Sequence, residues 1–441
     1  MKKPSLRPVL TAVAAATCLL PMALQAQTTL QAPGGRLGES AAQPAGQSMG
    51  TPMGESMAVP MVVPMSPAQA ISQPYSPVSS GADQREGIQF RAMAGVERDD
   101  NVLRTNGGEI SDTITGLGLG LRYQKRVSRQ QFVVDAEVNH FNFDKIGVDY
   151  NTLNYSAAWQ WAAGERFEGI LSADRRQFRD VTSNGVAAGI DRRTERNELF
   201  EGGYKLGASW RVLGGLQHNA SRSSDPAAWD ANLSQNSVRV GVAYEPATGS
   251  SLALRFRRGD GDYDNAPVAS DFDDNEIEAS MRWIVSPKTR VDARLGHLER
   301  EHSGAPTRDF SGVVGSVGVN WDITGKTSLT AGYARDLGSY LFGTGGHLSS
   351  DRWFVGPTWR ATDLITVNLR YEHETRHWED VTGSLDVGRK DKFNVGTLGV
   401  EWAVRRSVTL GAQYRHERRS SSLPVFNYRA NVIGLTAKLT I

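Results

Sequence analysis

The sequence predicts an all-β fold, a transmembrane antiparallel β-barrel of about eighteen strands, preceded by a signal peptide and a disordered linker. From Gly87 to the last residue, apolar and polar side chains alternate with period two. Tight turns alternate with longer polar loops, and an aromatic residue stands a few places before most of the tight turns.

The chain opens with MKKPSLRPVLTAVAAATCLLPMALQAQ, a basic start followed by an apolar stretch and the small residues Ala23 and Ala26, which is the pattern of a cleaved signal peptide over 1–26. Leu24 lies three places before a cut after Ala26, where a small residue is commoner, so the site itself is not fixed. Any cut there removes Cys18, the only cysteine, and leaves no thiol for disulfides, zinc-thiolate sites or a cysteine nucleophile. Ala15 and Thr17 also depart from the residues a lipidation cysteine needs before it. Residues 27–86 are rich in Gln, Ala, Pro, Gly, Ser and Met and poor in charge and aromatic residues. Such a stretch buries too little apolar surface to offset its ordering entropy, and it reads as a disordered periplasmic linker.

Residues 87–441 are expected to form the barrel. Leu252, Leu254 and Phe256 alternate with Ala253, Arg255 and Arg257; Ile365, Val367, Leu369 and Tyr371 alternate with Asn368, Arg370 and Glu372. On a strand these sets face opposite ways, one apolar and one charged. Tight connections fall at 127–129, 163–165, 207–209, 246–249, 286–288, 324–326, 361–363 and 405–407. Between them, longer polar loops are expected at 99–112, 180–194, 222–236, 260–275, 303–309, 338–350 and 379–390. Short turns alternating with long loops mark outer-membrane barrels, and an even strand count puts both chain ends on the periplasmic side. Tyr123, Trp161, Tyr244, Trp283, Trp321, Trp359 and Trp402 each precede a tight turn, as a ring of amphipathic side chains at one membrane interface would. The last four of these turns resemble one another at intervals of about forty residues, the length of a hairpin plus its loop. The final stretch alternates up to Ile441, where such barrels more often end in an aromatic residue.

Charge excludes some functions. Lys and Arg total 49 against 48 Asp and Glu, so no single-sign field suits nucleic acid. His373-Glu374-Thr375-Arg376-His377 matches the H-E-x-x-H zinc signature, but it continues a strand pattern, where residues four apart lie about 13 Å from each other. Asp260, Asp262, Asp264 and Asp271 echo a calcium loop, yet Asn265 replaces its turn glycine. No cofactor, metal or catalytic residue is expected, and an outer-membrane hydrolase or a glycan-binding adhesive barrel ranks below a channel. The informative residues are charges on the face opposite the apolar set: Asp135, Glu137, Asp174, Arg255, Arg257, Glu278, Arg282, Asp292, Arg294, Arg370, Glu372, Arg415 and Glu417. A barrel of this size leaves an aqueous lumen, whose charges either tune what crosses or pair as structural ladders.

Val96-Glu97-Arg98-Asp99-Asp100-Asn101-Val102-Leu103-Arg104, then Ser111-Asp112-Thr113 and Gly120-Leu121-Arg122-Tyr123, resemble the opening of the putative β-barrel porin family. Arg308-Asp309-Phe310-Ser311-Gly312 and Tyr428-Arg429-Ala430-Asn431-Val432 are similar to later parts of it. Within the family the chain most resembles the exosortase-associated exopolysaccharide-export barrels, the EpsL group. That resemblance implies an outer-membrane channel or assembly component for export of an extracellular polysaccharide, with polysaccharide and periplasmic export components as partners. The alternative is a general or sugar-selective diffusion porin. Either would meet outer-membrane lipid, lipopolysaccharide and the barrel-assembly machinery in a Gram-negative outer membrane.

Overall fold

A run that is apolar on one face and charged on the other must pair edge to edge with its neighbours and turn the two faces to different surroundings. The computed structural model describes residues 86–180, 190–225, 229, 232–246, 249–264, 266 and 268–441. The signal peptide expected over 1–26 and, except for Glu86, the linker expected over 27–86 lie outside the described residues.

Eighteen strands form a single sheet: β1 (Gly87–Asp99), β2 (Asp112–Val127), β3 (Gln130–Phe143), β4 (Asp149–Ala163), β5 (Phe167–Asp180), β6 (Asp191–Lys205), β7 (Trp210–Ser223), β8 (Leu233–Tyr244) and β9 (Ser251–Tyr263) make the first half. The second half is β10 (Phe272–Ser286), β11 (Thr289–His302), β12 (Phe310–Asp322), β13 (Thr327–Ser339), β14 (Gly345–Arg360), β15 (Ile365–Thr382), β16 (Lys390–Arg405), β17 (Val408–Ser421) and β18 (Tyr428–Thr440). Each strand pairs antiparallel with the next. β18 returns to β1 from Arg91↔Thr440 to Asp99↔Val432, and Phe90 and Ile441 exchange backbone hydrogen bonds beyond it. Every strand therefore has two neighbours, which removes the open edge a membrane would not tolerate. The closing strand uses Ile441 where an aromatic residue is commoner, and its ladder is intact.

Tight turns gather at one end of the barrel and the longer loops at the other. Several loops are shorter than expected. β9 runs to Tyr263, β10 starts at Phe272, β14 starts at Gly345, β15 extends to Thr382 and β6 begins at Asp191. In these strand ends the outward positions turn polar while Tyr263, Phe272 and Leu348 are buried, so the outward-apolar alternation fades while the backbone ladder continues. Asp260 and Asp262 accordingly sit in a strand, not in a loop, and Asp264 just after it forms an ion pair with Arg222.

The outward face carries the apolar set. Leu117, Leu119, Leu254, Leu295, Leu369 and Leu435 are each more than half exposed. That much apolar surface facing out all the way around marks contact with lipid. Five outward positions span the band on most strands: Asn394, Gly396, Leu398, Val400 and Trp402 on β16, or Asn236, Val238, Val240, Val242 and Tyr244 on β8. Eight residues are about 27 Å along a strand, or about 21 Å along the membrane normal at a tilt of about 40°. That fits the hydrocarbon layer a barrel must cross.

The outward row nearest the tight turns contains Tyr123, Trp161, Tyr244, Trp283, Trp321, Trp359 and Trp402. Neighbouring strands add aromatic partners that sequence reading did not single out. Phe132 stacks on Trp159, Phe167 packs against Tyr204 with centroids 4.9 Å apart, and Trp210 meets Tyr244 at 5.1 Å. Trp161 also stacks on Phe200 and lies over Gly169, where a Cβ would run into its indole. The glycine leaves the space the ring fills.

Candidate functional site

Directly opposed residues on neighbouring strands share a face, so the register traces the lumen wall around the barrel. Arg91 faces Gly120; Arg122 faces Asp135; Gly120 faces Glu137; Ser156 faces Asp174. Further on, Arg255 faces Glu278, Arg282 faces Asp292, Ser280 faces Arg294, Arg370 and Arg415 both face Thr397, and Glu372 and Glu417 both face Val395. The thirteen candidate lumen charges therefore all lie on the inner face. They do not form one cluster; the structure divides them into six.

The largest group crosses β6 to β13. Arg257 Nη2 donates to Glu276 Oε2 at 2.7 Å, and Arg294 Nη1 reaches Glu276 Oε1 at 3.2 Å and Glu278 Oε2 at 3.5 Å. Arg255 donates to Ser280 Oγ at 2.8 Å and lies 3.6 Å from Glu201 and 3.9 Å from Glu278. Arg300 clamps Asp274 with Nε at 2.7 Å and Nη2 at 2.9 Å, a bidentate geometry suited to guanidinium and carboxylate. Opposite charges thus alternate from Glu201 to Arg300, and all members are buried within the side-chain layer lining the wall. Removing both charges from water is costly, and this chain of hydrogen bonds is what offsets it.

The other groups are smaller. Arg282 and Arg290 share Asp292 near the tight-turn end, at 2.8 and 3.0 Å. Arg370 Nη2 donates to Glu372 at 2.7 Å. Arg91 holds Asp135 through both terminal nitrogens, with Glu137 beside it accepting from Asn139 at 2.7 Å. Arg415 meets Glu417 at 2.8 Å. Asp174 is held by the Ser156 hydroxyl and the Asn197 side chain.

Two loops enter the barrel, and sequence reading missed both. In the first, Val102 is fully buried with the lumen-facing Met93, Ile114, Phe141 and Phe143. Arg104 adopts a left-handed φ of 53°, which lets its guanidinium turn back on the strands. Nη1 meets both oxygens of Asp99 at 2.8 Å and Nε meets Glu417 at 2.7 Å, while Arg179 from β5 reaches the same Asp99 at 3.2 Å. Burial alone would lower the Arg104 pKa, but the Glu417 and Asp99 carboxylates beside it outweigh that, raise it and keep the side chain charged. Asn101 spans to the Arg429 carbonyl, and the Asp100 carboxylate accepts the backbone and side-chain N–H groups of Asn431. The stretch from Asp99 to Arg104 therefore buckles β1 to β5, β17 and β18. In the second loop, residues 340–344, Leu341 packs with Leu233, Tyr263 and Phe272, and Phe342 stacks on Trp229 at 5.1 Å. Tyr340 donates to Asp386 at 2.6 Å, and Arg308 donates to the Gly343 carbonyl at 2.8 Å.

β15 runs unbroken through His373 to His377, the extended geometry that separates the two imidazoles. His373 Nδ1 bonds Asn394 Oδ1 at 2.8 Å on the outer face. Among the described residues no group of three His, Cys, Asp or Glu could hold a metal ion.

A sequence-family model described as "Putative beta-barrel porin 2" matches residues 176–441. The match is to the porin family and does not reach the exosortase-associated export group; it supports the diffusion-porin alternative better than polysaccharide export. No curated protein matches the chain. Solved structures similar to it include the outer membrane protein opdK from Pseudomonas aeruginosa, at 11% identity over 80% of this chain and 99% of that one, with a TM-score of 0.46. Pseudomonas aeruginosa OccK2 (OpdF) in complex with glucuronate has 12% identity over 80% and 98%, TM-score 0.47. A BenF-like porin from Pseudomonas fluorescens Pf-5 has 11% identity over 81% and 100%, TM-score 0.45.

Proposed function

The chain belongs to the family described as "Putative beta-barrel porin 2", and from that premise and its inner wall we propose that it is an outer-membrane channel through which small hydrophilic solutes diffuse. The observation that carries this reading is a wall closed at β1–β18, apolar outside, whose inside is lined by charged and amide side chains. Such a wall offers water and polar solutes a surface that lipid does not.

The lumen charges act in two ways in this reading. Their pairing holds the wall rigid, and their alternating sign keeps it close to neutral, which favours no single ion strongly. The aromatic row marks the periplasmic interface, the tight turns lie in the periplasm, and the 27–86 linker follows a removed signal peptide there. A diffusion channel needs no catalytic residue, and we assign none. Polysaccharide export rests only on the sequence resemblance; a gene deletion that leaves surface polymer unchanged would dismiss it.

Liposome swelling tests the channel reading. Vesicles carrying the purified chain should swell in isotonic solutions of small sugars and amino acids faster than empty vesicles, with rates falling as solute size rises. Equal swelling of the two preparations would reject it.

A further inference from the structure

We propose that the outer face of the barrel carries a belt, on the long-loop border of the apolar band, that binds the phosphate groups of lipid headgroups in that leaflet. The inference rests on the membrane-spanning reading of the barrel and not on whether the lumen conducts.

The belt is built by one rule. On six of the strands that run from the tight-turn end, the residue eight places beyond the first outward position is a base: Arg175 after Phe167, His218 after Trp210, His297 after Thr289, Arg335 after Thr327, His373 after Ile365 and His416 after Val408. Arg98 on β1, His140 on β3 and Arg258 on β9 are further outward bases near the same border. The returning strands present mainly amides there, and four histidines are fixed by them. Nδ1 of His140, His218, His373 and His416 donates to the Oδ1 of Asn151, Asn236, Asn394 and Asn431 at 2.9, 2.9, 2.8 and 2.8 Å. Because an amide oxygen only accepts, Nδ1 carries the proton; Nε2 of His373 in turn meets the Thr375 hydroxyl at 3.2 Å, so the histidines line the belt and the arginines supply the donors for a phosphate. Tyr371 and Tyr414 donate to two of the same amides from one row lower.

A second observation points to an anion. Arg175 on β5 and Arg196 on β6 are directly opposed in the ladder. Among the described residues neither makes an ion pair with a carboxylate, and like charges facing each other across a ladder repel. A phosphate between them would turn that repulsion into two charge-assisted hydrogen bonds, the geometry guanidinium groups favour. By contrast Arg335 is already matched by Asp351 at 2.7 Å, so it adds little. The row holds carboxylates at Glu198, opposite His218, and at Asp351, beside Arg335, but among the described residues none pairs with Arg98, Arg175, Arg196 or Arg258, whereas on the lumen face Arg91, Arg257, Arg294 and Arg415 are each paired. The difference is what distinguishes a wall that neutralises itself from one that waits for a partner's charge.

The partner fitting this surface is a lipid with exposed phosphate, for which lipopolysaccharide is the natural probe. The full chain in neutral detergent is titrated with lipopolysaccharide and with the same lipid stripped of its phosphates, and retained lipid is read by native mass spectrometry. The intact lipid should be held on the order of a hundredfold more tightly, from about fivefold for each of four unmatched arginines, reduced by screening. A variant with Arg98→Gln, Arg175→Gln, Arg196→Gln and Arg258→Gln should lose most of that preference, and the corresponding four Lys substitutions should keep it. Equal retention of both lipids by the unaltered chain, or an undiminished preference in the folded Gln variant, would overturn the proposal. Folding of the Lys variant with loss of preference would overturn it equally.

Discussion

Leu369 offers a direct test of the outer face. It lies midway along the outward row of β15, four residues from Ile365 on one side and four from His373 on the other, and it is 51% exposed beside Leu398 of β16. Four residues are about 13 Å of strand, which at a tilt of about 40° leaves it about 10 Å from either border of the apolar band. Leu369→Arg should therefore place a guanidinium near the bilayer midplane and cost about 2–4 kcal/mol, whereas His373→Arg at the border should cost about 0–1 kcal/mol. Arg370→Leu, one residue away on the inner face, removes one end of the ion pair with Glu372 and should change stability without depending on bilayer thickness. The assay is reversible guanidinium unfolding from phosphatidylcholine vesicles, followed by tryptophan fluorescence. A cost for Leu369→Arg no larger than for His373→Arg would refute the assignment of this face to lipid.

Other expectations follow from the wall and its loops. Arg104→Ala leaves Asp99 and Glu417 buried without their shared cation, and should destabilise the barrel by about 3–5 kcal/mol in the same unfolding assay; it should also raise single-channel conductance, because the loop at 100–111 is no longer held inside. Arg294→Ala removes the positive charge between Glu276, Glu278 and Asp336, so reversal potentials under a salt gradient should shift toward cation preference. Gly169→Val places a side chain where the indole of Trp161 lies and should cost about 1–3 kcal/mol, visible as a lower unfolding midpoint.

Much of the barrel was legible in the sequence because its physics is local. A strand with lipid on one side and polar surroundings on the other must alternate, and Leu252 to Arg257 shows that without reference to any partner. Face assignment followed for Arg255, Glu278 and Arg294 from parity alone. Parity also holds the signal for residues that were passed over, since Glu276 shares a face with Glu278 and Arg300 with Arg294. Pairing was not legible. Whether Arg257 meets Glu276 depends on the register between β9 and β10, which no local pattern encodes. The strand ends failed for a different reason: around Asp262 and Asp273 the outward positions become acidic where lipid-facing residues would be apolar, so continuing strand looked like loop. The inward loops were hidden entirely, because the return of Arg104 onto Asp99 rests on one left-handed residue and on contacts with strands more than three hundred positions away. The motif from Asp99 to Arg104 suggested a family before it suggested a role; its side chains prove to be the buckle across the seam where first and last strands meet.

Planar-bilayer recording of the purified chain tests the channel most directly. Insertions should appear as discrete, uniform conductance steps in potassium chloride, with a single-channel current proportional to voltage and larger steps for Arg104→Ala. A folded, inserted barrel that passes no current, in both the unaltered chain and the Arg104→Ala variant, would contradict the account.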